Sequence, residues 1–569
     1  MTNPTQDAVA FDFDMSGIVQ NLQAAAINFV NMQRANMPAK MDYVQFTLPS
    51  VMNQLPDKRN FIQEQVLGKS PLSLVELEEA FDRIANDSRP RGVILYLRGF
   101  GMSLADLQSL RDSITRLRAR GKRVVTYAQS YDMAEYFIAS AADEIILQPG
   151  GNLMTVGMIR AQNFLKDSLE TIGLQADSVA ISPYKGAGDT FTRTEPSEEG
   201  EAQLNWLLDS QYQIMIAAIA EGRNLTHDDT RNLIDNAPYI GKHALEQGFV
   251  DAMVNEEGLA AHLSVKDIVL WSKANGILPL KMPRDRSKYV AVIRAAGAIV
   301  PGESQNPPVD LPIPLIGGER LGDVTLVQQV RQLMQDKSCV ALVLYVDSPG
   351  GSATASEAMA SALDEFGKEK PIVVYMGGVA ASGGYYISTP ADYIFAQPGT
   401  ITGSIGVINL KLINSEMLKK LKFNPFYYQR GENADIFASI KPFTEEQRAK
   451  VREGIEDIYD IFVERVAVSR KMKTDQVDEI GGGRVWTGQQ ALENGLVDEL
   501  GGLYEAIAKA RQLANVSSNT PFGVMDSKGK PLPAQIAEQA DPAAAMRYYT
   551  ETIELLNGTH LMLMPFELR

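Results

Sequence analysis

The 569-residue chain holds one cysteine, Cys339, and four histidines, His227, His243, His262 and His560. A single cysteine excludes an internal disulfide and any CxxC metal or redox site. It sits in the apolar run CVALVLYV, which reads as a buried structural thiol rather than a nucleophile. Four histidines make a poor supply for a metal cluster or for Ser-His-Asp chemistry, so no metal and no cofactor is expected. Basic residues are also short: 54 Lys and Arg stand against 70 Asp and Glu, a net charge of −16. Nucleic-acid binders present a Lys/Arg-rich face to phosphates, so nucleic acid is not an expected partner. The basic cluster RLRARGKR at 116–123 reads as a helix end running into a turn.

Long apolar runs are missing too. The N-terminus MTNPTQDAVAFDFD is acidic where a secretory signal needs Lys or Arg, and no apolar stretch follows it. Met15 to Gln33 is uncharged, but Asn21, Asn28 and Asn31 make it too polar to span a bilayer. Ile18, Leu22, Ala25, Phe29 and Met32 fall at helical spacing. The expectation is a helix docking on the protein itself, with a membrane-surface anchor as the alternative.

What is present is a repeat. At an offset of 249, residues 133–157 and 382–406 share nine identities in 25 positions, including Gln148-Pro149-Gly150 against Gln397-Pro398-Gly399. GVILYLRG at 92–99 faces ALVLYVDS at 341–348, and GKHALEQGFVD at 241–251 faces GQQALENGLVD at 488–498. The chain divides into an N-terminal extension (1–42), repeat one (43–285), repeat two (286–516) and a C-terminal tail (517–569) with helical character at 543–557. In each repeat short β-rich runs (GVILYLRG, RVVTYA; ALVLYVDS, PIVVYM) alternate with helical patterns, which predicts a mainly parallel sheet and an α/β fold. The loop at 301–323 is long and Pro-rich, able to cover a cleft.

Chemistry is divided between the copies. Repeat two carries DSPGG at 347–351 and GGVAASGGYYIS at 377–388, with Ser382 at a helix start; repeat one has Met133 opposite it. Repeat one carries Lys185 in SPYKGAGDTF, where repeat two has Gly431. Singly, Ser382 reads as an N-cap and Lys185 as a surface charge. Together they point to one composite site per chain, in which a buried, neutral Lys185 activates Ser382 and the N–H groups of Gly351 and Gly383 hold an oxyanion.

DSPGG, ASGGYYIS, GTITGSIGV at 399–407 and YKGAGDTF in the first repeat, in this arrangement over roughly 40–515, resemble the long tandem form of signal peptide peptidase A, the protease IV family of Ser-Lys peptidases. The resemblance implies a ClpP/crotonase-like fold. It implies Ser382 as acylating nucleophile, Lys185 as general base and then acid, Ser404 as the hydroxyl that orients the lysine, and Gly351 and Gly383 as oxyanion donors. It further implies an endopeptidase acting on remnant signal peptides or other unfolded polypeptides, in a ring-like homo-oligomer such as a tetramer, and an association with membranes. Because this chain shows no span, a soluble cytoplasmic or peripherally attached protein is the corresponding expectation. The other classes in view are a crotonase-type acyl-CoA hydratase or isomerase, which would need acids such as Asp347 or Glu357 at the cleft, and a non-catalytic scaffold of the same fold.

Overall fold

The computed structural model describes residues 25–34, 40–57, 70–281, 287–305, 318–525, 557 and 560–564. The expectations for Ile18 and Leu22, for the core of the Pro-rich loop at 306–317 and for the helical tail up to 556 lie outside the described residues.

Repeat one is built on a parallel sheet of strands β1 (Tyr43–Thr47), β2 (Gly92–Tyr96), β3 (Arg123–Ala128) and β4 (Glu144–Leu147). All five residues of β2 are buried, as a continuous apolar run covered on both faces requires. Helix α1 (Leu74–Ala85) and helix α2 (Leu104–Ala119) cross between strands, and α2 starts where the Ser103 hydroxyl accepts from the Asp106 amide. Helix α3 (Met133–Ala139) follows β3 and is capped by Asp132. One further strand, β5 (Gln175–Ala180), leaves this unit altogether. It is followed by the long helix α4 (Glu198–Arg223).

Repeat two repeats the plan with β6 (Tyr289–Ala296), β7 (Ala298–Val300), β8 (Arg320–Gly322), β9 (Cys339–Ser348), β10 (Gly350–Ser352), β11 (Ile372–Ala381), β12 (Ile401–Gly403), β13 (Ile408–Ile413) and β14 (Val485–Thr487). Helix α5 (Ala353–Gly367) follows β10, and a one-turn helix α6 (Gly383–Tyr386) follows β11. Strands β6, β9, β11 and β12 form a parallel core, with β14 antiparallel at the edge. Cys339 is buried there, 1% exposed.

A separate six-stranded sheet joins the two halves. Its order is β8-β7-β10-β15-β13-β5, where β15 (Leu561–Leu563) is the C-terminal segment. Strand β5 of repeat one runs antiparallel to β13 of repeat two over six residue pairs, from Gln175↔Ile413 to Ala180↔Ile408. This pairing carries the first repeat into the second.

The helix at 25–34 docks in an unexpected way. The Asn31 side chain exchanges two hydrogen bonds with the Leu280 backbone and Arg34 donates to the Leu278 carbonyl, while Phe29 and Met32 stay 57% exposed. The polar residues, not the apolar stripe, make the contact, because the part-buried carbonyls of Leu278 and Leu280 take donors there. No helix among the described residues is long and apolar enough to cross a membrane.

Candidate active site

Strand β11 is apolar and buried up to Ala381 and then turns sharply into α6. Ser382 forms the turn with φ 57° and ψ −114°, a conformation that costs a side chain about 1–3 kcal/mol and that persists only where the surroundings enforce it. Here they do. The Ser382 amide donates to the Gly403 carbonyl at 2.8 Å, and a Cβ on Gly384 would lie 2.6 Å from the Ser348 carbonyl oxygen. The hydroxyl makes no capping bond to α6, which removes the N-cap reading.

Lys185 reaches this serine from the other repeat. After β5, the Ser182 hydroxyl donates to the Gly482 carbonyl, and the chain presses on Gly483, where a Cβ would stand 2.7 Å from the Lys185 backbone. Lys185 is 0% exposed. Its Nζ lies 2.8 Å from Ser382 Oγ, 2.8 Å from Ser404 Oγ and 2.8 Å from the Ser404 carbonyl oxygen. Desolvation alone holds the amine well below the usual lysine range. A neutral amine has two N–H donors and one lone pair. The two oxygens of Ser404 satisfy the donors, leaving the lone pair for the Ser382 proton.

Gly351 and Gly383 adjoin: a Cβ on Gly383 would be 3.2 Å from the Gly351 amide nitrogen. The Gly383 N–H opens α6, so no carbonyl of that helix can accept it. Strand β10 is clamped by β7, where a Cβ on Gly351 would meet the Ile299 carbonyl oxygen at 2.0 Å. Asp347 and Glu357 are held by other partners: Asp347 accepts from the Val379 amide, and Glu357 is paired with Arg465 and accepts from the Tyr386 hydroxyl. In repeat one the corresponding junction carries Met133 behind the Asp132 cap, and Gly431, opposite Lys185, is exposed.

Several groups that assemble the site have no motif in the sequence. Trp206 on α4 donates to the Val485 carbonyl at 2.9 Å and stacks on Trp486 at 5.3 Å; Gln203 accepts from the Val485 amide. Arg484 lies over the Tyr184 ring at 4.2 Å. These contacts lock α4 and the Lys185 loop onto β14. Their only signal in the sequence is two of three tryptophans at unrelated positions, which says nothing about pairing.

The sequence profile of Peptidase family S49 matches this chain twice, at residues 116–268 and 364–517. The chloroplastic serine protease SPPA of Arabidopsis thaliana is 31% identical over 477 residues, 81% of this chain and 69% of that protein. Protease 4 of Haemophilus influenzae is 31% identical over 79% of this chain and 74% of its own length, and Protease 4 of Salmonella typhi is 32% identical over 78% and 72%. Among solved structures, a point mutant of ClpP1 from Listeria monocytogenes aligns over 38% of this chain and 94% of its own, with 14% identity and a TM-score of 0.25.

Proposed function

The chain belongs to peptidase family S49 and is a serine peptidase, and from that premise we propose that Ser382 is its nucleophile and Lys185 its base. The observation that carries this reading is the 2.8 Å contact between Lys185 Nζ and Ser382 Oγ, both fully buried and each contributed by a different repeat. Ser382 Oγ attacks a peptide carbonyl as Lys185 takes its proton. The oxyanion is held by the Gly351 and Gly383 amides, and Lys185, now charged, protonates the leaving amine. Water, deprotonated by the same lysine, then hydrolyses the acyl-enzyme. Ser404 keeps the amine aimed throughout. Lysine serves as base because no carboxylate among the described residues lies against it to keep it charged.

The substrates of this reading are extended polypeptides, such as remnant signal peptides or unfolded chains. A site this buried, set between the edges of β10 and β13, admits a strand and not a folded surface. The test is cleavage of an unstructured fluorogenic peptide by Ser382→Ala and Lys185→Ala. Both are expected to lose activity while keeping the fold, and full activity in either overturns the assignment.

A homo-oligomer is part of the same reading. Within the chain β5 pairs with β13. By the repeat offsets the counterpart of β5 is the segment around 421–427 and that of β13 is around 159–164. Neither counterpart forms a strand, and both are exposed: Phe426 is 82%, Tyr428 93% and Ile159 95% accessible. One copy's 421–428 segment meeting the next copy's 156–164 segment would repeat between chains the contact made within each. Such a head-to-tail contact closes into a ring when its rotation permits. Light scattering on the wild type and on Phe426→Asp tests it: a wild-type monomer refutes it.

A further inference from the structure

Three consecutive glycines, Gly481 to Gly483, lie just before strand β14, and the Lys185 loop lands on them. At the offset of 247 that sets GKHALEQGFVD beside GQQALENGLVD, repeat one has Ile234, Asp235 and Asn236 in their place. The glycines are therefore present only in the copy that receives the lysine. Gly482 and Gly483 have φ of 64° and 92°, where a side chain is strained, and a Cβ on Gly483 would collide with the Lys185 backbone. A loop without side chains has to be held by its backbone groups. The Gly483 amide donates to the Ile405 carbonyl at 2.7 Å, and the Arg484 carbonyl accepts from the Ser404 amide at 2.6 Å. Ser404 in turn holds Lys185 Nζ with both of its oxygens. On the other side the Gly482 carbonyl accepts from Ser182 Oγ, and the Ser182 carbonyl accepts from the Lys185 amide at 3.1 Å. One short loop thus fixes the lysine at its backbone and at its amine.

The remaining polar group of Gly482, its amide, is buried and donates to Tyr459 Oη at 3.0 Å. Tyr459 lies on helix α7 (Glu445–Arg470), inside the core of repeat two and 8% exposed. Its own proton goes to Asp478 Oδ1 on helix α8 (Thr474–Ile480). That bond sets a direction, because a hydroxyl donating to the carboxylate turns a lone pair toward the amide. Burial and then the Asp478 carboxylate hold the Tyr459 hydroxyl protonated well above the usual tyrosine range, with the Arg484 charge opposing them. The direction therefore persists across the pH range of an activity assay. In repeat one the counterparts are Tyr212 and Arg231, so the tyrosine is kept while a cation stands where the acceptor would be.

We propose that Tyr459, oriented by Asp478, is a positioning residue for proton transfer from Ser382, locking the Gly481–Gly483 loop against the Lys185 loop so that the amine stays aimed and dry. The proposal rests on the Ser382/Lys185 reading and adds to it the side chains that set the geometry of the base. Tyr459 touches neither substrate nor the reacting atoms; it acts through Gly482 and Ser182. Without the hydroxyl, the buried Gly482 amide has no acceptor, and the loop moves toward water to find one. Burial is what keeps Lys185 neutral, so water that reaches Nζ restores its affinity for a proton. The base is then charged at pH 7 and transfer waits for a higher pH.

Tyr459→Phe keeps the ring and removes the oxygen. On a fluorogenic peptide its kcat at pH 7 is expected to fall about tenfold or more, with KM within about twofold of wild type. The acid limb of its kcat/KM profile is expected to move up by about one pH unit, so that most of the loss is recovered at pH 10. Asp478→Ala carries the same test on an exposed side chain outside the core, with the same upward shift expected, and Asp478→Asn, which still offers an oxygen to the hydroxyl, is expected to restore the wild-type profile. Ser182→Ala cuts the next link, so the Tyr459→Phe/Ser182→Ala double variant is expected to be about as slow as the slower single variant. A Tyr459→Phe enzyme with wild-type kcat at pH 7, a loss of equal size at every pH, or a double variant whose loss is the product of the two single losses overturns the proposal. Full activity of Lys185→Ala in the same assay overturns the Ser382/Lys185 reading instead.

Discussion

Gly351→Ala separates the oxyanion role proposed for the Gly-Gly loop from its role in packing. A Cβ at this position would lie 2.0 Å from the Ile299 carbonyl oxygen, and ordinary contact begins at 3.4 Å, so strand β10 has to retreat by more than an ångström. Strand β7 cannot yield in its place. Ile299 is 0% exposed, and β7 is held on its far side by β8 through three residue pairs. A hydrogen bond of about 2.9 Å does not survive a displacement of that size. Losing one oxyanion donor costs about 10²–10³ in kcat, about 2.7–4 kcal/mol. The strain itself costs about 1–3 kcal/mol of stability, a smaller effect than the one on turnover. The assay is kcat and KM on a fluorogenic peptide beside a calorimetric scan, with Gly276→Ala, where a Cβ meets nothing within 4 Å, as the control. A folded Gly351→Ala enzyme with kcat within threefold of wild type would refute the reasoning.

Two further predictions concern buried charge. In the native state Lys185 is neutral well below the usual lysine range, whereas in the unfolded chain it binds a proton below about 10.5. Wild-type stability therefore contains a component that grows as pH rises toward 10.5, and Lys185→Met, lacking it, is expected to melt higher than wild type at pH 7 with a gap that narrows by pH 10. A pH-independent gap would contradict a neutral lysine. Asp106, at the start of α2, has its carboxyl pushed up to about 7 by burial and then by the charge of Asp347, and its Oδ1 is buried without a hydrogen-bond partner. The native state binds this proton more tightly than the unfolded chain, so the carboxyl weakens the fold as pH rises from about 4 through 7. Asp106→Asn is expected to gain a few kcal/mol over wild type at pH 8 and little at pH 4, read by denaturant unfolding at the two pH values.

Much of this protein can be read from its residues in order. Strands such as Gly92–Tyr96 follow from continuous apolar runs, because a strand covered on both faces buries every one of its side chains. The duplication is written in the recurrence of Gln-Pro-Gly and of the flanking pattern. The unequal fate of Ser382 against Met133, and of Lys185 against Gly431, marks the candidate site because a duplicated scaffold makes each absence visible. Helix 25–34 shows the limit of such reasoning, since helical spacing identified an apolar stripe but not that Asn31 would make the contact.

What no linear pattern contains is the pairing of distant edges. That β5 leaves its own repeat for β13, that Trp206 stacks on Trp486, and that β15 enters the slot between β10 and β13 depend on which hydrogen-bonding edges remain free once both sheets have formed. An unpaired strand edge must be satisfied by whatever segment geometry brings to it. The amino-acid order determined two α/β units and the residues able to do chemistry. The tertiary structure alone decided that 2.8 Å would separate a lysine of one unit from a serine of the other, because burial of both edges at once requires the two halves to share a sheet.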